Sequence, residues 1–244
     1  MVSRGLAPSI ERARALIMAG RVRGPDRRYE KPGLPVPLDA AIEVSADRAF
    51  VSRGGQKLAA ALDAWEIPIA GRVCLDVGAS TGGFSDCLLQ RGACRVYAVD
   101  VGYGQLADSL RQDPRIMGME RTDIRSLSNR SPRLDPGPGF GAVDVSFISL
   151  REVLPAVAKL VPAGANVVAL IKPQFEAAKE AVGHDGVVRS PQVRAAVIQG
   201  IINWALRAGW RVGGVLRSPL TGPKGNEEFL LWLRTPLLAE ESEA

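Results

Sequence analysis

Apolar and polar positions change their period along this chain, and the changes mark out its elements. From residue 73 onward, short apolar runs alternate with stretches of helical spacing. The runs at 73–78, 95–101, 116–122, 142–147 and 167–171 read as buried strands; 82–91, 105–111, 150–160 and 191–208 read as helices. Two more runs, at 210–216 and 229–233, close the pattern. Strands apolar along their whole length are covered on both faces, so the alternation predicts a mostly parallel α/β sheet of seven strands. Only 217–228 separates the last two, with no helical pattern for a parallel crossover. They are expected to pair as a hairpin, which makes one strand antiparallel.

The beginning of the chain is patterned differently. Residues 7–20 predict a short helix capped by Ser9 and stopped by Gly20. Its apolar side carries Ile10, Ala13 and Ile17, and Arg12 and Arg14 point away. Residues 22–38 are rich in Arg, Pro and Gly and read as turns, 41–44 as a closing strand and 45–51 as a connector. A helix over 55–65 then puts Leu58, Leu62 and Trp65 on one face. The expected domains are a small module at 1–46, a linker at 47–51 and the α/β domain at 52–244, whose acidic tail from Glu240 is expected to be loose.

Composition narrows the classes. In 244 residues, 46% of them hydrophobic, no apolar run approaches the ~20 residues of a membrane helix. The opening Met1-Val2-Ser3-Arg4-Gly5-Leu6 lacks the apolar stretch of a secretory signal. Three cysteines (Cys74, Cys87, Cys94) and one distant histidine, His184, argue against a disulfide framework or a metal site and fit a reducing cytoplasm.

Charge is uneven. Residues 1–31 hold eight basic side chains (Arg4, Arg12, Arg14, Arg21, Arg23, Arg27, Arg28, Lys31) against three acidic ones, whereas 61–244 holds twenty of each sign. A basic patch gains by displacing counterions from phosphates, which points to a polyanion partner. Phospholipid fits less well, because no aromatic or leucine-rich face accompanies the charge. With 5% aromatic residues, recognition of folded RNA by shape and phosphate is favoured over base-stacking platforms.

The candidate chemistry begins at Asp76-Val77-Gly78-Ala79-Ser80-Thr81-Gly82-Gly83-Phe84, between the first strand and its helix, where such sheets bind ligands. A dinucleotide fold would show G-x-G-x-x-G, but Ser80 stands where its second glycine belongs. Asp76 also stands just before the turn, and a carboxylate repels a pyrophosphate while suiting the positive sulfonium and amino groups of S-adenosylmethionine. Asp100, at the end of the second strand, can accept both ribose hydroxyls. Asp123, after the third, can accept from the adenine amino group.

Four polar residues flank the expected pocket: Lys57, Asp144, Lys172 and Glu228. Asp144 falls within an otherwise apolar strand and Lys172 closes another. An unprotonated lysine can serve as general base toward a ribose hydroxyl; burial or a neighbouring ammonium lowers a lysine's pKa, and carboxylates raise it and hold it in place. Base N-methylation commonly uses an Asn/Asp-Pro-Pro-aromatic turn, where this chain has Asp144-Val145-Ser146-Phe147. Carbon-5 methylation needs a cysteine nucleophile, and Cys74 and Cys87 read as core residues.

These residues resemble the TlyA (hemolysin A) family of ribosomal RNA 2′-O-methyltransferases over nearly the whole chain. The resemblance rests on Ser52-Arg53-Gly54-Gly55-Gln56-Lys57-Leu58, the glycine turn, 99–106, Glu120-Arg121-Thr122, 144–150, Ile171-Lys172-Pro173-Gln174-Phe175-Glu176, Gly186-Val187-Val188-Arg189 and Asn226-Glu227-Glu228-Phe229. It implies a Rossmann-like, FtsJ-like methyltransferase domain that uses S-adenosylmethionine, joined to an S4-like RNA-binding domain. It also implies a catalytic tetrad at Lys57, Asp144, Lys172 and Glu228, and methylation of cytidine ribose in ribosomal RNA or ribosomal subunits. The segment around 48–51 resembles the family's interdomain linker. Two features depart from the pattern: the S4-like domain is expected to be shortened at its N-terminus, and its hairpin reads Arg23-Gly24-Pro25-Asp26-Arg27-Arg28. Alternatives are a 2′-O-methyltransferase for another RNA, a non-catalytic RNA binder with the same fold, and a membrane-lytic protein, for which no amphipathic apolar helix speaks.

Overall fold

The computed structural model describes residues 1–18, 21–25, 27–29, 31–44, 50–127 and 134–237, and not the side chains of Ala15 and Arg28. It divides into two compact units, Met1–Arg53 and Gly54–Ala244. Gly20, most of the expected linker (47–49) and the tail from Glu240 lie outside the described residues.

The first unit holds α1 (Ile10–Met18) and three two-residue strands, β1 (Val22–Arg23), β2 (Arg28–Tyr29) and β3 (Glu43–Val44), in the antiparallel order β2-β1-β3. Ser9 caps α1 by accepting from the Arg12 N–H at 3.1 Å. The region expected to be turns thus contains a hairpin, with Val22 opposite Tyr29 and the Gly24 N–H bonded to the Arg27 carbonyl at 2.8 Å. Tyr29 decides the point, because its buried ring joins Ala7, Ala13, Leu16 and Val22 in a small core. Ile10, expected on the buried stripe, is exposed, and Arg14 borders the same apolar hollow as Ile10 and Ile17 rather than pointing away from it.

The second unit opens with α2 (Gly54–Ala64) and continues through β4 (Val73–Val77), α3 (Gly83–Gln90), β5 (Arg95–Val99), α4 (Asp108–Arg111), β6 (Ile116–Met119), α5 (Ile124–Leu127) and β7 (Phe140–Val143). Then come α6 (Leu150–Leu160), β8 (Asn166–Ile171), α7 (Pro173–Glu176), α8 (Pro191–Arg207), β9 (Arg211–Arg217) and β10 (Phe229–Arg234). The seven strands form one sheet in the order β6-β5-β4-β7-β8-β10-β9. All neighbouring pairs from β6 to β8 are parallel, and β10 runs antiparallel to both β8 and β9, as the short connection between the last two strands required.

Chain order reverses direction at β4, which opens a crevice beyond the carboxyl ends of the central strands. The central strands carry almost wholly buried residues, whereas the edge strand β9 alternates half-buried and exposed positions. Helix α6 starts where Ser149 accepts from the Arg151 N–H, and α8 starts at Ser190-Pro191 and buries Val197, Ile201 and Ala205 at four-residue spacing. Among the described residues, no helix is long and apolar enough to cross a membrane.

One expected boundary moves with consequence. The run expected as strand 142–147 is a strand only as far as Val143, so Asp144 stands in the loop beyond it, not within the sheet. The Asp144 N–H still bonds the Val77 carbonyl at 2.8 Å, but Phe147 turns to a left-handed φ of 64°, which no strand residue adopts. The helix expected from Gln105 also starts later, at Asp108, with Gln105 in the loop above the crevice.

All four tryptophans (Trp65, Trp204, Trp210, Trp232) lie in the second unit, so their fluorescence reports its unfolding alone. Leu231, wholly buried on β10, is expected to cost about 2–5 kcal/mol of this unit's stability when changed to Ala. A tryptophan-monitored urea transition with an unshifted midpoint would show that β10 does not carry the core.

Candidate active site

Beyond the carboxyl ends of β4, β5 and β7 lies a cavity of about 770 Å³. Its floor is the turn after β4. Gly78 takes a φ of 83°, and a side chain there would place Cβ 2.4 Å from the Asp144 carbonyl oxygen. Only glycine therefore lets the turn pack against the loop after β7. The Gly78 and Ala79 N–H groups both donate to the Val99 carbonyl, at 2.9 and 3.2 Å. Gly78, Ser80, Asp100, Asp123 and Asp144 line the cavity, whereas Ala79, Gly82, Gly83 and Phe84 are buried beneath it and Thr81 is exposed at the turn.

The three aspartates expected to hold a cofactor sit in different electrostatic surroundings. Asp100 accepts from the Ser80 N–H on one oxygen and the Gly102 N–H on the other, both at 2.7 Å, so it ties two loops together with lone pairs to spare. Asp123 is held by Arg125, whose Nη2 lies 2.7 Å away and whose Nη1 reaches Glu152 at 3.1 Å; the guanidinium keeps the Asp123 carboxyl below its usual range. Asp76 is wholly buried. Its Oδ2 accepts from Ser85 Oγ at 2.6 Å, and its Oδ1 has no hydrogen-bond partner. Burial, reinforced by the Asp144 charge and offset in part by Ser85, pushes its carboxyl up to about 7.

The other four site residues form two ion pairs along one edge of the sheet. Lys57, on α2, pairs with Glu228, which leads into β10, and the two are 7% and 2% exposed. Lys172, at the end of β8, has its Nζ 2.7 Å from Asp144 Oδ1 and 2.8 Å from Ser146 Oγ. The sheet register sets this proximity. Phe229 pairs with Ile171, so Glu228 and Lys172 follow at the next position of neighbouring strands, and Val143 pairs with Ala169 on the other side.

Three further residues escaped the sequence reading. Ser146 bonds Lys172 and lines the cavity. Phe147 also lines it, 90% exposed, with its ring 4.9 Å from that of Phe175. Glu176 accepts from the Leu150 N–H and from Ser149 Oγ, both at 2.7 Å, which ties the segment after Lys172 to the loop after β7. A strained, exposed aromatic residue is visible only once its φ and burial are known; no spacing in the sequence marks it.

Cys74 and Cys87 are core residues, and burial raises both thiols to about 12, unlike a reactive thiolate. Among the described residues no three His, Cys, Asp or Glu side chains group as a metal site. His184 borders a separate hollow within 179–190. In the first unit, Arg12, Arg14, Arg23, Arg27 and Lys31 are exposed, Arg21 is half-buried, Arg4 donates to the Ala40 carbonyl at 2.6 Å and Arg27 lies 5.1 Å over the Tyr29 ring.

Asp76 takes up a proton on folding, because its folded value lies above the ordinary ~3.9. Its contribution to stability is therefore full below about pH 4 and declines as pH rises through about 7. Wild type is expected to lose unfolding free energy relative to Asp76→Asn across that window; denaturant titrations giving a constant difference would contradict it.

The sequence profile of FtsJ-like methyltransferases matches residues 50–235. The chain is 49% identical over 239 residues, 96% of its length and 88% of the relative's, to the 16S/23S rRNA (cytidine-2′-O)-methyltransferase TlyA of Mycobacterium tuberculosis. A solved structure from Lactococcus lactis, described as a hemolysin, is 44% identical with a TM-score of 0.72, covering 76% of this chain and 88% of that one. At the level of fold alone, fibrillarin from Aeropyrum pernix, solved with natively bound S-adenosyl-L-methionine, matches 75% of each chain with a TM-score of 0.50 and 16% identity. The seven-stranded sheet, the glycine turn beneath the cavity and these likenesses agree: the chain belongs to the TlyA family of FtsJ-like methyltransferases.

Proposed function

We propose that this chain methylates the ribose 2′-hydroxyl of a cytidine in ribosomal RNA, with S-adenosylmethionine as donor and Lys172 as general base. The observation that carries the reading is Lys172 Nζ, held 2.7 Å from Asp144 Oδ1 and 2.8 Å from Ser146 Oγ, both on residues lining the cavity. The cytidine and the ribosomal RNA come from the likeness to the mycobacterial enzyme.

The cavity suits the donor on its own terms. About 770 Å³ lies within the ~300–1,000 Å³ typical of small-molecule sites, and Asp100, Asp123 and Asp144 make its wall negative, as a cationic ligand requires. Gly78 itself lines the cavity, where the turn packs directly against the loop after β7. When bound, S-adenosylmethionine supplies an electrophilic methyl group on its sulfonium. Asp100 would accept from the ribose hydroxyls and Asp123 from the adenine amino group.

Lys172 takes the proton of the attacking 2′-hydroxyl. Asp144 holds the amine in place and stabilises the ammonium that forms. Lys57 and Glu228, buried as a pair, fix the neighbouring strand entry. The exposed Phe147 offers an apolar face at the rim for a base swung out of its stack. The basic surface of the first unit, read as an S4-like RNA-binding module, binds the RNA through phosphates.

The test is transfer of tritiated methyl from S-adenosylmethionine to separated ribosomal subunits and their naked RNAs. Label on a cytidine 2′-oxygen that falls by about 10²–10⁴-fold in Lys172→Ala is expected, the usual range for a lost general base. Label on a base, or full transfer by the variant, would overturn the reading; cofactor binding with no transfer to any RNA would favour a binder over an enzyme. Asp100→Asn is expected to weaken S-adenosylmethionine binding about tenfold or more by calorimetry, the scale of one charged hydrogen bond. Unchanged affinity would remove Asp100 from the cofactor site.

A further inference from the structure

Beside Asp100 on the cavity wall stands Gln105, a neutral amide among carboxylates. Ser80 takes a left-handed φ of 48°, and from that conformation it reaches both side chains. Its N–H donates to Asp100 Oδ2 at 2.7 Å, and its Oγ donates to Gln105 Oε1 at 3.1 Å. From the other side the Gly102 N–H donates to Asp100 Oδ1 at 2.7 Å. Gln105 Nε2 lies directly over Gly102: a Cβ there would stand 2.1 Å from Nε2 and 3.0 Å from Asp100 Oδ1. A side chain at 102 would therefore displace the amide. We propose that Gln105 is a cofactor-binding residue whose amide N–H donates to a ribose hydroxyl oxygen of S-adenosylmethionine, next to the Asp100 carboxylate. The inference rests on the reading of this cavity as the donor's site.

A ribose diol is donor and acceptor at once, because each hydroxyl carries one O–H and two lone pairs. A carboxylate only accepts, so Asp100 can take the hydroxyl protons but offers nothing to the oxygens. The nearby donors are already engaged. The Ser80 and Gly102 N–H groups bond Asp100, Ser80 Oγ bonds Gln105, and Thr122 Oγ1 bonds the Glu120 carbonyl at 3.0 Å. Among the described residues Gln105 Nε2 has no acceptor, so its N–H groups are left for a ligand. The neighbours also decide which way the amide faces. Turned over, Oε1 would stand on the side of the Asp100 carboxylate, oxygen against oxygen.

The backbone holds Gln105 in position before any ligand arrives. Its N–H donates to Glu120 Oε1 at 3.2 Å, and the other oxygen of that carboxylate lies 3.5 Å from Arg111 Nη1. Two residues on, the Ala107 N–H donates to the Thr81 carbonyl at 3.1 Å, which ties the loop to the glycine turn. A donor fixed in advance loses little freedom on binding. Its neutrality matters too: an amide supplies the N–H without setting a positive charge in a cavity that takes a sulfonium, as lysine or arginine would.

The test compares wild type, Gln105→Ala and Gln105→Glu in the full chain. S-adenosylhomocysteine, the demethylated cofactor, is titrated by calorimetry, and its 2′,3′-dideoxy analogue is measured by competition against it. The sulfide of both ligands is neutral, so the charge of the Glu variant has no sulfonium to act on. Gln105→Ala is expected to weaken S-adenosylhomocysteine about fivefold, the scale of one neutral hydrogen bond, and to leave the analogue's affinity unchanged. Gln105→Glu keeps the acceptor for Ser80 but loses the donor, and weakens S-adenosylhomocysteine at least as much. A residue that merely held the loop would affect both ligands equally. Unchanged binding in Gln105→Ala, full affinity in Gln105→Glu, or an equal loss for the two ligands would overturn the assignment while wild-type binding left the donor's site in place. If wild type binds no S-adenosylhomocysteine, the reading of the cavity fails and this inference falls with it.

Discussion

Charge held out of water without being left unpaired is the constraint on which the rest of this structure depends. Removing an ammonium or a carboxylate from water costs several kcal/mol per ion unless a partner and hydrogen bonds offset it. Lys57 and Glu228 are both nearly wholly buried, and each is tolerable only because the other is there. Lys172 and Asp144, less buried, solve the same problem at the mouth of the cavity. The antiparallel β10 matters here beyond completing the sheet: it reverses direction between β8 and β9 so that Glu228 arrives at the edge where Lys172 leaves. A parallel strand in that position would put the residue preceding it at the far end of the sheet.

The constraint is relaxed at two carboxylates, Asp144, whose Oδ1 faces Lys172 without a hydrogen bond, and Asp76. The Asp76 Oδ1 is buried without a hydrogen-bond partner, and Ser85 satisfies only the other oxygen. A group in that condition is held in place by the packing around it rather than by its own interactions. The site thus combines two ion pairs, Lys57–Glu228 with a hydrogen bond and Lys172–Asp144 without one, a carboxylate shared between loop amides at Asp100, and the buried Asp76 carboxylate beneath the turn.

The two units divide the electrostatic work. The first carries its basic side chains on the surface of a small core built around Tyr29 and Val22, with little stability to lend them beyond holding them outward. The second is balanced in charge and concentrates its acidic groups at the crevice. Phe147 and Ser146 both line that crevice, so it presents an aromatic and a hydroxyl group beside its carboxylates.

Periodicity alone was enough for the seven strands, their mostly parallel order and the antiparallel closing hairpin, because apolar period and connection length are local properties of the chain. The same holds for the glycine turn and for the aspartates at successive strand ends, each placed by a strand boundary that the apolar runs mark. The exact end of β7 was not legible: Val145 and Phe147 continue an apolar pattern, and only the folded backbone shows the strand ending at Val143, the Asp144 and Val145 backbone against Gly78 and a left-handed φ at Phe147. The first unit's hairpin was visible only through the family resemblance and not through periodicity, since Val22 and Tyr29 lie in strands too short to carry a period of their own. Which lysine meets which carboxylate, and that Ser146 and Glu176 support Lys172 and its segment, was decided by the tertiary structure. Those partners are separated by 26 to 171 residues and brought together by sheet register, a relation between strands that no single stretch of sequence contains.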